Sequence, residues 1–204
     1  MTLSQAIEQL QARFLTAVSA PAEFRGELTV TVNRDQIVAV CTFLKTDCAF
    51  AMLVDLSGVD NYGTDPRYEV VYELCSLTDH NHLRLKVSVP EDDLLVDSVT
   101  GVWRTADWHE REAFDMFGIR FRNHPNLKRI LMWEGYPYHP LRKDFPLAGL
   151  PAELPATAVD AGQVQISPMN GGPFVTAPGA RTAASREPRQ NDTAAERGDK
   201  PGAS

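Results

Sequence analysis

Tyr68 to Val89 reads YEVVYELCSLTDHNHLRLKVSV. Leu83, Leu85, Val87 and Val89 alternate with Arg84, Lys86 and Ser88, the period-two pattern of a strand with one buried face. Tyr68 to Leu77 is a second strand, and Thr78-Asp-His-Asn81 supplies the turn residues between them. Working outward, the run Phe50 to Leu56 is a buried strand. It is separated from Tyr68 by Asp60-Asn-Tyr-Gly-Thr-Asp-Pro66, a loop dense in turn formers. These three strands predict an antiparallel meander.

Upstream, Leu3, Ile7, Leu10, Phe14 and Val18 recur at helical spacing, with Thr2 and Gln5 as a capping box and Pro21 as the stop. Leu28, Val30 and Val32 alternate with Thr29 and Thr31 in a strand over 27–32. Asn33 and Gln36 form a second capping box before the stripe Ile37, Val40, Cys41, Leu44. The order is α-β-α-β-β-β. It predicts an α+β two-layer domain, with a mixed or antiparallel sheet of about four strands covered by helices.

Beyond the sheet, residues 98–105 predict a short helix. Asp107 then caps a better one, with Glu110 as its capping-box partner, and Gly118 takes the left-handed position after its end. Residues 119–122 are extended. The domain is placed at 1–122. From His124 the prolines at 125, 137, 140 and 146 forbid long helices, so 123–150 reads as an extended docking segment. Residues 151–204 hold seven of the 14 prolines and six of the 13 glycines, without apolar period. Such a tail is either disordered or ordered by lying on a partner.

Bulk properties exclude several classes. A net charge of −7 with pI near 5.2 argues against nucleic acid. The longest apolar run, Cys48 to Val54, is far short of the roughly 20 residues of a membrane span. Cys41, Cys48 and Cys75 have no metal or redox spacing and cannot supply an ordinary iron–sulfur cluster. They read as small core residues of a reduced compartment.

The chemistry-bearing stretch is His109 to Pro146, HEREAFDMFGIRFRNHPNLKRILMWEGYPYHPLRKDFP, with three of the five histidines. His109-Glu110 begins like the zinc motif H-E-x-x-H, but position 113 is Ala, so the second ligand is missing. Glu110, Glu112 and Asp115 could make an acid–base or cation site. Arg111 sits among them, in position to pair with Asp115 at i,i+4, and Glu112 points roughly 160–200° away from Glu110 around the helix. The density of Arg, Met and aromatics through Arg142 fits an interface. An extended proline-rich run, Tyr138 to Pro146, suits docking along a partner. No phosphate-binding glycine loop and no G-x-S-x-G elbow is present.

Glu110-Arg111-Glu112, Asp115, Gly118-Ile119, Phe121, His124-Pro125, Leu127 and Arg129-Ile130-Leu131, followed by His139-Pro140-Leu141-Arg142-Lys143-Asp144-Phe145-Pro146, form a long combined signature. It resembles the 30-kDa-type subunit of proton-pumping NADH:quinone oxidoreductase, respiratory complex I, over residues 27–147. That family carries Gly before the second His-Pro, where this chain has Tyr138. The resemblance implies a non-catalytic member of the complex's peripheral arm, with no cofactor or metal residues of its own. FMN, iron–sulfur clusters, NADH and quinone would be bound by neighbouring subunits. The implied partners are the 49-kDa-type subunit and the adjoining cluster-bearing subunits, on the cytoplasmic side of a bacterial inner membrane or the matrix side of a mitochondrial one. Glu110, Arg111, Glu112, Asp115, Gly118, Phe121, His124, Pro125, Arg129, His139, Pro140, Arg142, Lys143 and Asp144 are then the signature and interface candidates, the charged ones forming ion pairs within the chain or across to a partner. Two alternatives stand beside this. One is the equivalent subunit of a membrane-bound hydrogenase-type complex. The other is a free-standing metal-dependent hydrolase using His109, Glu110, Glu112 and His124.

Overall fold

The computed structural model describes residues 2–152 and the short strand Val175–Thr176. The expectation for the tail therefore lies almost wholly outside the described residues. The chain divides into two compact units: Met1–Gly135 with Leu141–Lys143, and Tyr136–Pro140 with Asp144–Ser204.

The first unit opens with helix α1, Leu3–Arg13, whose capping box between Thr2 and Gln5 forms as expected. The stripe continues past the helix: Val18 leaves it and bridges antiparallel to Val32. A hairpin follows, β1 at Ala22–Phe24 and β2 at Glu27–Thr31, turned by Arg25-Gly26. Helix α2, Ile37–Thr46, is entered through a 3-10 turn at Arg34–Gln36 rather than a second capping box. Asn33 makes no side-chain cap there, and its amide instead donates to the Thr16 carbonyl at 3.2 Å.

Strands β3 (Met52–Asp60), β4 (Tyr68–Cys75) and β5 (His82–Val89) form the expected antiparallel meander. Strand β2 then pairs parallel to β5 through Thr29–Thr31, so the sheet is mixed and has five strands in the order β1-β2-β5-β4-β3. The alternation read from the sequence sets its faces. Tyr68, Val70, Tyr72 and Leu74 stack with Leu83, Leu85, Val87 and Val89 in one buried layer under the helices. The opposite face carries charges in register: Arg84 bridges Glu73 and Glu27, and Lys86 reaches Glu69.

Two expectations downstream fail. Residues 98–105 form turns, not a helix, and the chain before them makes a short strand, β6 (Leu95–Asp97). Helix α3, Ala106–Phe117, starts one residue before Asp107 and has no side-chain cap. Tertiary structure overrides the capping box, because Glu110 turns inward and is used by another segment. Gly118 ends α3 at φ +82°, the left-handed conformation that glycine adopts without strain. Strand β7, Arg120–Arg122, pairs parallel to β6.

The first unit, Met1–Gly135 with Leu141–Lys143, takes in residues on both sides of position 122. In the second unit, Tyr138 lies edge-on to Tyr136 with ring centres 5.6 Å apart, and its hydroxyl donates to the Pro151 carbonyl at 3.0 Å. Strand β8, Leu150–Pro151, pairs parallel to β9, Val175–Thr176.

Candidate functional site

Helix α3 buries Ala106, Glu110, Ala113, Asp115 and Met116. Two of these five are carboxylates with no solvent exposure. Acidic residues are almost never fully buried without partners, so each must be accounted for.

Asp115 organises the segment after β7. Its Oδ1 takes the Arg129 guanidinium at 2.5 Å. Its Oδ2 accepts the backbone N–H groups of Ile130, Leu131 and Met132 at 3.0, 2.8 and 2.8 Å. Three successive amides converging on one anion make an anion-binding nest, here filled from within the chain. Arg111 completes the clamp by donating to the Lys128 and Arg129 carbonyls at 3.0 and 3.1 Å. The expected Arg111–Asp115 pair is therefore replaced. The guanidinium of Arg129 and the nest fill the carboxylate, and Arg111 caps the carbonyls opposite.

Glu110 works on two other segments. Its Oε1 accepts the Val99 N–H at 2.7 Å, and its Oε2 lies 4.0 Å from His124 Nε2. The His124 ring is completely buried. Its Nδ1 accepts the Asn126 N–H at 3.0 Å, which leaves the proton on Nε2. That nitrogen faces the Asp107 carbonyl at 3.1 Å and the Asp107 carboxylate at 3.2 Å. Burial pushes the Glu110 carboxyl up to about 7; Ser98 and Val99 pull it back only in part, and Asp107 adds repulsion.

A third buried carboxylate, Asp60 at the end of β3, was not among the sequence candidates. It forms a two-pronged pair with Arg67 at 2.8 and 2.9 Å, and accepts the Lys143 N–H at 2.8 Å. The Arg67 guanidinium beside it holds the carboxyl below its ordinary range. Arg67 also reaches Glu91 at 2.6 Å and lies 4.8 Å from the ring centres of Tyr62 and Tyr68. Next along, Arg142 donates to the Phe117 carbonyl at 2.7 Å, and the Leu141 N–H to the Met116 carbonyl at 3.2 Å. Nothing in the sequence links Asp60 to Lys143, 83 positions away. Only the turn-rich loop 60–66 hinted that this end of the strand is special.

The remaining candidates separate by role. Gly118 ends α3, and Phe121 and Met116 are core residues, 3% and 4% exposed. Glu112 and Pro125 are exposed. Lys143 contributes its backbone, while His139, Pro140 and Asp144 belong to the second unit. His109 sits against Asp55 at 3.2 Å and His124 against Asp107, so the two rings face different carboxylates. Among the described residues, no three His, Cys, Asp or Glu side chains are grouped to hold a metal.

Three buried carboxylates on one α+β scaffold thus act as anchors: Asp115 for residues 129–132, Asp60 for the Lys143 amide and Glu110 for the turn at Val99. A family model, described as the respiratory-chain NADH dehydrogenase 30 kDa subunit, matches residues 30–151. An NADH-quinone oxidoreductase subunit of Geotalea uraniireducens is 46% identical over 146 residues, covering 72% of this chain and 89% of that protein. The corresponding protein of Roseiflexus sp. is 50% identical over 69% of this chain and 82% of its own length. That of Rhizobium etli is 53% identical over 71% and 78%. Among solved structures, a trypsin-resistant fragment (1–134) of Nqo5 superposes with a TM-score of 0.55 at 32% identity, covering 62% of this chain and all of the fragment. A chain of an archaeal membrane-bound sulfane sulfur reductase shares the fold, with a TM-score of 0.61 at 22% identity over 71% and 85%. The chain belongs to the 30 kDa subunit family of respiratory-chain NADH dehydrogenase.

Proposed function

We propose that this chain is the 30-kDa-type subunit of an NADH:quinone oxidoreductase, acting as a structural and assembly element of its peripheral arm. The observation that carries this is the family match over 30–151, which spans the end of β2, strands β3 to β5 and every buried anchor of the signature segment. In this reading the chain supplies no catalytic residue. NADH, FMN, iron–sulfur clusters and quinone are handled by neighbouring subunits, and this one keeps them in register. Its partners are other members of the complex, chiefly the 49-kDa-type subunit and its cluster-bearing neighbours. In this reading it attaches peripherally through those partners, on the cytoplasmic side in a bacterium; no helix among the described residues is long and apolar enough to cross a membrane. The hydrolase alternative finds no support in the geometry, because His109 and His124 do not converge.

The test is a mild-detergent purification of the tagged chain from native membranes. The expected eluate is a large assembly containing flavin and iron–sulfur clusters and oxidising NADH with quinone. A chain recovered alone at 22.6 kDa would overturn the proposal.

A further inference from the structure

The anchors above leave one recess at the start of β3 unused. A groove of about 600 Å³ runs between the end of α2, the first residues of β3 and the turns before α3. It is lined by Lys45, Met52, Val102, Trp103, Arg104 and Thr105 among others. Of its apolar members Met52 stands open at 41% exposure, while Leu53 and Trp103 form a buried wall behind it. Outside the lining, Val54, two residues along the strand, is 44% exposed, and Trp108, in the first turn of α3, is 68% exposed. An exposed Met at the mouth of a groove whose wall is a buried Trp103 has the composition of an interface, where Met and aromatics are enriched.

Charge says what fits. The lining holds two cations, Lys45 and Arg104, and no acid, in a chain whose net charge is −7. Lys45 is fixed by one bond, to the Val102 carbonyl at 2.5 Å, and keeps two N–H groups for a ligand. Arg104 makes no ion pair among the described residues and is exposed. The unused side of the groove is thus an apolar floor with a positive rim. An acidic segment bearing an apolar anchor complements it, whereas the charge-alternating outer face of the sheet already satisfies its own charges.

We propose that this groove docks a segment of a neighbouring subunit that places an apolar side chain against Met52, with a carboxylate between Lys45 and Arg104. This rests on the reading of the chain as part of an assembly. The experiment uses the full chain in its native membrane, with a photo-crosslinking phenylalanine analogue at Met52 and, as a control on the far sheet edge, at Phe24. The assembly is purified by the tag and the crosslinked peptide sequenced. The expected result is a crosslink from 52 to a peptide of another subunit with Asp or Glu beside an apolar residue. In parallel, Arg104→Glu, a change at an exposed position that leaves folding intact, is expected to lower co-purification of that partner about fivefold at low salt. The wild-type chain should show the same loss when salt is raised. An active assembly with no crosslink from 52, or with one to a second copy of this chain or to its own residues beyond 152, overturns the groove. So does Arg104→Glu at the wild-type level. Failure of the assembly reading shows separately, as a wild-type eluate that does not oxidise NADH.

Discussion

Glu110 is a carboxyl held without a strong partner on one oxygen, in a site where the Val99 N–H and Ser98 compensate its charge only in part. Its folded value of about 7 lies above the ordinary 4.5, so the folded chain binds a proton that the unfolded chain releases. The stability this group contributes is complete below about 4.5 and is lost as pH rises toward and through 7. Glu110→Gln keeps the acceptor for Val99 and removes the titration. Between pH 5 and pH 8, urea unfolding should therefore show the wild type losing about 2–3 kcal/mol more than the variant. Equal losses would assign the pH dependence elsewhere. Asp115, in contrast, is a buried carboxyl with both oxygens engaged. Asp115→Ala strands the Arg129 guanidinium and three amides, and is expected to cost about 3–5 kcal/mol by the same measurement. A loss under about 1 kcal/mol would mean that 128–132 is held by something else.

At the scale of elements, the contact between α3 and β3 depends on one small residue. Gly58 sits on the covered face of β3, and a Cβ there would come within 2.6 Å of the Phe117 ring. The ring's first carbons cannot swing away as a flexible chain end does, so Gly58→Ala forces the end of α3 outward. The expected cost is about 1–3 kcal/mol in thermal unfolding, with part of it recovered in the double variant Gly58→Ala, Phe117→Leu. Because Arg142 hangs from the Phe117 carbonyl and Leu141 from that of Met116, the same displacement should loosen Leu141–Lys143. Faster tryptic cleavage after Arg142 or Lys143 in Gly58→Ala would show it; an unchanged rate would separate helix packing from segment docking.

For the whole molecule, Asp60 joins the sheet to the far end of the signature. The carboxyl titrates low because of Arg67, so its contribution is present above about 3.8 and fades as pH falls below that. At neutral pH, Asp60→Ala removes partners from both Arg67 and the Lys143 amide. If the segment is read by other subunits, Asp60→Ala and Arg142→Ala should lower the amount of assembled oxidoreductase. Turnover per assembled complex should be unchanged, as quantified by native gel and NADH:quinone assay. Normal assembly with lost turnover would instead put this segment's work at the reaction centre.

What was legible in the chain was whatever repeats at short range. The alternation in Leu83–Val89, the stripe from Leu3 to Leu10, the Thr2–Gln5 box and the left-handed Gly118 all came through, because each rests on neighbours within one turn or one pleat. Where a longer-range partner competed, the local reading gave way. Asn33 left its cap for Thr16, Glu110 left Asp107's for Val99, and Arg111 left Asp115 for two carbonyls. The parallel pairing of β2 with β5 and the meeting of Asp60 with Lys143 were invisible for the same reason. The signature alone determined to which family the chain belongs. Only the tertiary structure decided that Asp60 and Asp115 are satisfied from within the chain and that Glu110 is satisfied on one oxygen alone, since a buried carboxylate takes whichever donors the fold brings to it, however far away in sequence they lie.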